Sequence, residues 1–249
     1  MVHGSEPSEF QAIKEQFKQL TGCNLHIDNN IPPAEAKIYM EQVAKVFEII
    51  KKSGRKLPED IFLTEWVTKG SGGVFSGSGE NKCYMISVKP EGNNQTFFQH
   101  AVLHESIHML DRNTLNKTID SGFRFETVGT DFKIEDGEYM AVRDNAKIEQ
   151  MCNYATKYVS KYAGTSFNGK GPYIHELCAE LGTMLMEKKI VIKEIYDKNG
   201  HTIDFDLEIK EPYVNIDGQS IIFTDKEKIE LKELIEYYFS IGGQNFSDY

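Results

Sequence analysis

The tightest constraint in the sequence is the run FQHAVLHESIHMLD, Phe98 to Asp111, which sets two histidines four residues apart in an apolar, helix-forming segment. On an α-helix, residues i and i+4 project from one face about one turn apart. His104 and His108 can therefore aim two imidazoles at one point. Phe98, Val102, Glu105 and Met109 trace one face, while Phe97, Ala101, His104, His108 and Asp111 trace another. So apolar a helix belongs in an interior, and a buried pair of imidazoles needs a metal or a carboxylate as partner. His104-Glu105-Ser106-Ile107-His108 also reads H-E-x-x-H. Zinc takes imidazole nitrogens at about 2.0–2.1 Å in a tetrahedral site. Glu105 follows the first histidine and is placed to take a proton from a zinc-activated water. On the motif alone, a helix with two ordinary histidines and an exposed Glu stays open.

Two histidines leave a catalytic zinc site incomplete, since such sites use three protein ligands and keep the fourth position for water. The best candidate lies in PYIHELCAEL, Pro172 to Leu181. Pro172 suits the first turn of a helix. Glu176 and Glu180 are again i and i+4, and two acids on an otherwise apolar helix are costly unless both are used. Glu176 is read as the metal ligand and Glu180 as an acceptor that orients a ligating histidine, His104. Asp111, three residues past His108, is a second orienting acid. A solvated helix face is the alternative for the Glu pair. Glu149 is a rival third ligand, although it sits among Lys147, Gln150 and Asn153 on what reads as a wet face. His100 has no base flanking the His100/His104 pair in the required place and reads as a packed or hydrogen-bonded histidine. Cys178 reads as a small packed residue rather than a nucleophile.

HESIHMLD (His104 to Asp111) paired with ELCAE (Glu176 to Glu180) resembles the zincin metallopeptidases of the anthrax lethal factor and Pro-Pro endopeptidase type, with H-E-x-x-H-x-x-D followed by E-x-x-A-E on a later helix. The resemblance covers the middle of the chain. It implies a zincin-like fold, one zinc ion per chain held by His104, His108 and Glu176, and Glu105 as the base in peptide-bond hydrolysis. In that family a Tyr upstream of the ligand Glu stabilises the oxyanion. The corresponding position here is Gly169, and Tyr173 is the nearest tyrosine to take that role. The resemblance also implies a peptide or protein substrate laid as an extended strand along a sheet edge, where main-chain hydrogen bonds supply affinity and side-chain pockets supply selectivity.

The chain has 249 residues, enough for one large domain or two lobes. No run of eighteen apolar residues is present, so no membrane span is expected. Met1 to Pro7 has neither a basic n-region nor an apolar h-region, so no signal peptide is read there. Cytoplasmic residence and export by a signal-less route both stay open, as does a role as toxin, effector or housekeeping enzyme. The net charge of −10 argues against a nucleic-acid or anionic-membrane surface. Cys23, Cys83, Cys152 and Cys178 form no C-x-x-C pair, so free thiols are expected.

Along the chain, Phe10, Ile13, Phe17 and Leu20 make one helical stripe, and Val43, Val46, Phe47 and Ile50 another. From Asp60 the texture turns to strands at 61–63, 74–75 and 84–88, joined by Gly-rich turns. Residues 112–138 read as a long loop rimming a cleft. Tyr139 to Tyr162 reads as helix, with Ile148, Met151, Ala155, Tyr158 and Tyr162 as its stripe. Residues 190–223 read as strands turning at Asp197–Gly200 and Ile216–Gln219, and Asp225 to Phe239 as an amphipathic helix. The expectation is an α+β, zincin-like metalloprotease fold. Residues 1–188 would be the catalytic domain, with N-terminal helices in 8–52, a small antiparallel sheet in 60–89 packed on the active-site helix 96–111, and a ligand helix 173–188. Residues 189–249 would be a β-hairpin and helix extension packed on the same domain. The main alternative is a non-catalytic zincin-like module that binds a peptide or host protein.

Overall fold

Helix α1 (Ser8–Thr21) forms where the first stripe predicts it, burying Phe10, Ile13 and Phe17. Leu20, the last of that stripe, is 55% exposed, while Phe17 and Thr21 of the same last turn are buried. The computed structural model describes residues 8–52, 56–65, 73–77, 83–88, 99–109, 132–135, 138–141, 145–165 and 174–242. The chain divides into two compact units, Met1–Asn113 and Thr114–Tyr249.

In the first unit, strand β1 (Asn24–Ile27) follows α1, and helix α2 (Pro33–Lys52) leads to strand β2 (Asp60–Glu65). β1 and β2 are parallel, with Leu25 beside Ile61 and Ile27 beside Leu63. Parallel neighbours need a long crossover, which α2 supplies. Its apolar side buries Tyr39, Val43, Val46, Phe47 and Ile50, and Phe47 meets Phe17 of α1 at a ring-centroid distance of 5.8 Å. Strands β3 (Gly73–Gly77) and β4 (Cys83–Val88) complete a sheet of order β1-β2-β4-β3. β4 runs parallel to β2, and only β3 is antiparallel to its neighbour. The expected antiparallel sheet is therefore corrected to a mixed one. The Gly-rich turns suggested a meander of successive hairpins, but β3 takes the outer position and lets β4 pair with β2. Helix α3 spans the described residues 99–109.

The second unit starts with an antiparallel hairpin of β5 (Phe132–Glu135) and β6 (Glu138–Ala141). Here the reading of 139–162 as helix is corrected: Tyr139 and Met140 pair with Ile134 and Lys133, and helix α4 covers only Asn145–Tyr158. Strand and helix share the same apolar texture across that junction, and the pairing that decides between them lies upstream of it. Then come helix α5 (Ile174–Met186), the hairpin β7 (Ile190–Tyr196) and β8 (Thr202–Ile209), the short pair β9 (Tyr213–Val214) and β10 (Ser220–Ile221), and helix α6 (Asp225–Gly242). Turns fall where the sequence predicts them: Gly218, between β9 and β10, takes φ +81°, a conformation open to glycine without strain. Met151, Ala155 and Tyr158 of α4, Leu177, Leu181 and Met184 of α5, Phe205 of β8, and Leu231, Leu234 and Ile235 of α6 form one buried cluster. The segment beyond α5 therefore shares a core with α4 and α5. Among the described residues, no helix is long and apolar enough to cross a membrane.

A polar knot ties α4 to α6. The Tyr158 hydroxyl donates to Glu230, whose Oε2 also lies 3.1 Å from Lys157 Nζ. The Tyr158 hydrogen bond, aided by Lys157 and opposed by desolvation, holds the Glu230 carboxyl below its ordinary range. A carboxyl lowered in the folded state contributes stability above its unfolded pKa, about 4.3, and loses it as pH falls through the lower folded value. Tyr158→Phe is expected to cost about 1–3 kcal/mol at neutral pH. That deficit should shrink below about pH 4. Urea titrations at both pH values would check this, and a pH-independent deficit would assign the loss to something other than Glu230.

Candidate metal centre

Helix α3 is buried on one side and half-open on the other. Val102, Leu103, Ser106, Ile107 and Met109 are at most 2% exposed, while Ala101, His104 and His108 form a half-buried stripe. The two imidazoles stand edge to face with ring centroids 5.1 Å apart. Glu105 is 8% exposed. Ser106 donates to the Val102 carbonyl at 2.6 Å, so this buried hydroxyl is satisfied within its own helix. His100, one turn earlier, is half-buried.

Helix α5 carries the two acids as the i, i+4 spacing predicts. Glu176 is half-buried in the first turn, where the positive end of the helix dipole favours a carboxylate. Glu180 is buried, at 6% exposure, and accepts a hydrogen bond from the hydroxyl of Ser160, itself 1% exposed. Leu177, Ala179, Leu181 and Met184 fill the rest of the helix with apolar contacts, and Cys178 is buried among them.

His104 and His108 stand on α3 of the first unit and Glu176 on α5 of the second, and together they supply two imidazoles and one carboxylate. Two imidazoles and one carboxylate are also the donor set of catalytic zinc sites that keep a position for water. The residues present therefore fit zinc. Glu149, the rival ligand, is exposed on α4. Tyr173 and Asp111 lie outside the described residues.

Sequence reasoning missed Ser160. It follows the end of α4, and no local pattern marks it. Its partner is 20 positions downstream, on another helix. No family model, curated protein or solved structure matches the chain.

Proposed function

We propose that the chain is a zinc-dependent endopeptidase with a zincin-like fold. The observation that carries this reading is the edge-to-face pair of His104 and His108 on the half-open stripe of α3, with Glu105 beside them in the motif and buried. Glu176 is the third ligand. A zinc ion held by such a set supplies a Lewis acid and a water acidic enough to be deprotonated near neutral pH. Glu105 takes the proton of the attacking water and returns it to the leaving amine. Tyr173 donates to the developing oxyanion. Glu180 and Asp111 hold the orientation of the ligating side chains. The substrate is a peptide or protein segment in extended form. Strand β3 offers it an edge, since among the described residues β3 pairs only with β4.

The test is elemental analysis of protein purified without chelators or a polyhistidine tag, followed by a peptide-library cleavage screen. One equivalent of zinc per chain and cleavage that stops on chelation are expected. No zinc, with no gain in thermal stability when zinc is added, would turn the reading to a non-catalytic module that binds a peptide or host protein.

A further inference from the structure

The sequence leaves residues beyond α5 without a role, and the hydrogen bonds made by their short hairpin supply one. A helix C-terminus leaves its last carbonyls without intrahelical partners. At the end of α4 the β9–β10 hairpin satisfies the last two, Lys157 and Tyr158, and the Val159 carbonyl that follows. Asn215 Nδ2 donates to the Lys157 carbonyl at 3.1 Å, the Tyr213 hydroxyl to the Tyr158 carbonyl at 2.6 Å, and the Ile216 amide to the Val159 carbonyl at 2.9 Å. In the other direction, the Lys161 amide donates to Asp217 Oδ2 at 2.7 Å. The stretch 157–161 is thus tied to one hairpin on both sides of Ser160.

The loop has no slack further on. A Cβ added at Gly164 would stand 1.9 Å from Thr156 Oγ1 and 2.6 Å from the Cys152 carbonyl oxygen, so the chain lies directly against α4. The Ala163 amide donates to Ser160 Oγ at 2.9 Å. A serine hydroxyl has a single proton to give, and that of Ser160 goes to Glu180.

The geometry points to Ser160 as a positioning residue for the metal centre, holding Glu180 and through it the rotation of α5 that aims Glu176, with the β9–β10 hairpin as its brace. This rests on the zinc reading above. Glu176 and Glu180 are one turn apart on a common face, so whatever fixes one about the helix axis fixes the other. A rotation of about 20° moves a side-chain end by roughly 2 Å at the helix's outer radius. Metal–ligand distances tolerate only about 0.2 Å. A buried hydrogen bond that limits this freedom therefore acts on ligand geometry.

The experiment compares wild type, Ser160→Ala and Ser160→Thr as full chains. It measures zinc affinity by chelator competition, the visible absorption of the cobalt(II)-loaded protein, and fold by circular dichroism. Ser160→Ala is expected to stay folded, to bind zinc about 10–100-fold more weakly and to change the cobalt spectrum. Ser160→Thr, which keeps the hydroxyl, is expected to recover most of both. Wild-type affinity and spectrum in Ser160→Ala would overturn the positioning role while leaving the zinc site standing. Should Ser160→Ala not fold, Tyr213→Phe decides: it loses one brace hydrogen bond and keeps its ring in the core. Weakened zinc binding there supports the role, and unchanged binding overturns it. Absence of zinc and cobalt binding by wild type itself would remove the site and this role together, before any variant is compared.

Discussion

Glu105→Gln is expected to keep its zinc and to lose about 10²–10⁴-fold in kcat/KM on any peptide the wild type cleaves. The amide matches the carboxylate in size, so a side chain that is 8% exposed can be replaced without leaving a cavity. It can still hydrogen-bond to water. What it cannot do is accept a proton, and on the proposed mechanism that is the task of Glu105. The measurement pairs zinc content with turnover: full zinc with collapsed turnover separates the base from the ligands. Turnover within a few-fold of wild type would remove Glu105 from the chemistry, and zinc lost along with turnover would make it a structural part of the site.

His104→Ala and Glu176→Ala are expected to fall from one equivalent of zinc to nearly none, while Glu149→Ala keeps it. Each of the first two removes one of three protein donors, and an ion left with two has too few fixed contacts to survive gel filtration. Glu149 is exposed on α4, whereas Glu176 is half-buried in the first turn of α5. The contrast is informative because the chain alone allows either acid. Zinc retained in Glu176→Ala and lost in Glu149→Ala would give the third position to Glu149, and the argument for Ser160 would fall with that result.

Several elements are legible in the sequence for a physical reason. Helices α1, α2 and α6 declare themselves because a surface helix must repeat its apolar residues every three or four positions, and α5 because Pro172 opens an apolar run. The turns at Asp197–Gly200 and Ile216–Gln219 declare themselves because few residues tolerate their backbone angles. The i, i+4 relations of His104 with His108 and of Glu176 with Glu180 are local arithmetic. What escapes is non-local. β1 is only four residues long and is defined by its parallel neighbour β2, which lies across α2. The outer position of β3 depends on which side of β4 it chooses. Tyr139 to Ala141 becomes strand because Phe132 to Ile134 is available to pair with it. Ser160 gains its role from a carboxylate on another helix.

Placing Leu231, Leu234 and Ile235 in the same core as Leu177 and Leu181 also sets a timetable for biosynthesis. A ribosome delivers α5 well before α6, and in the interval α5 has α4 to pack against but lacks the part of its surface that α6 supplies. A nascent chain stopped at residue 224 would carry His104, His108 and Glu176 with that core unclosed. The core around α5 is therefore completed only when the stretch through Ile235 has emerged.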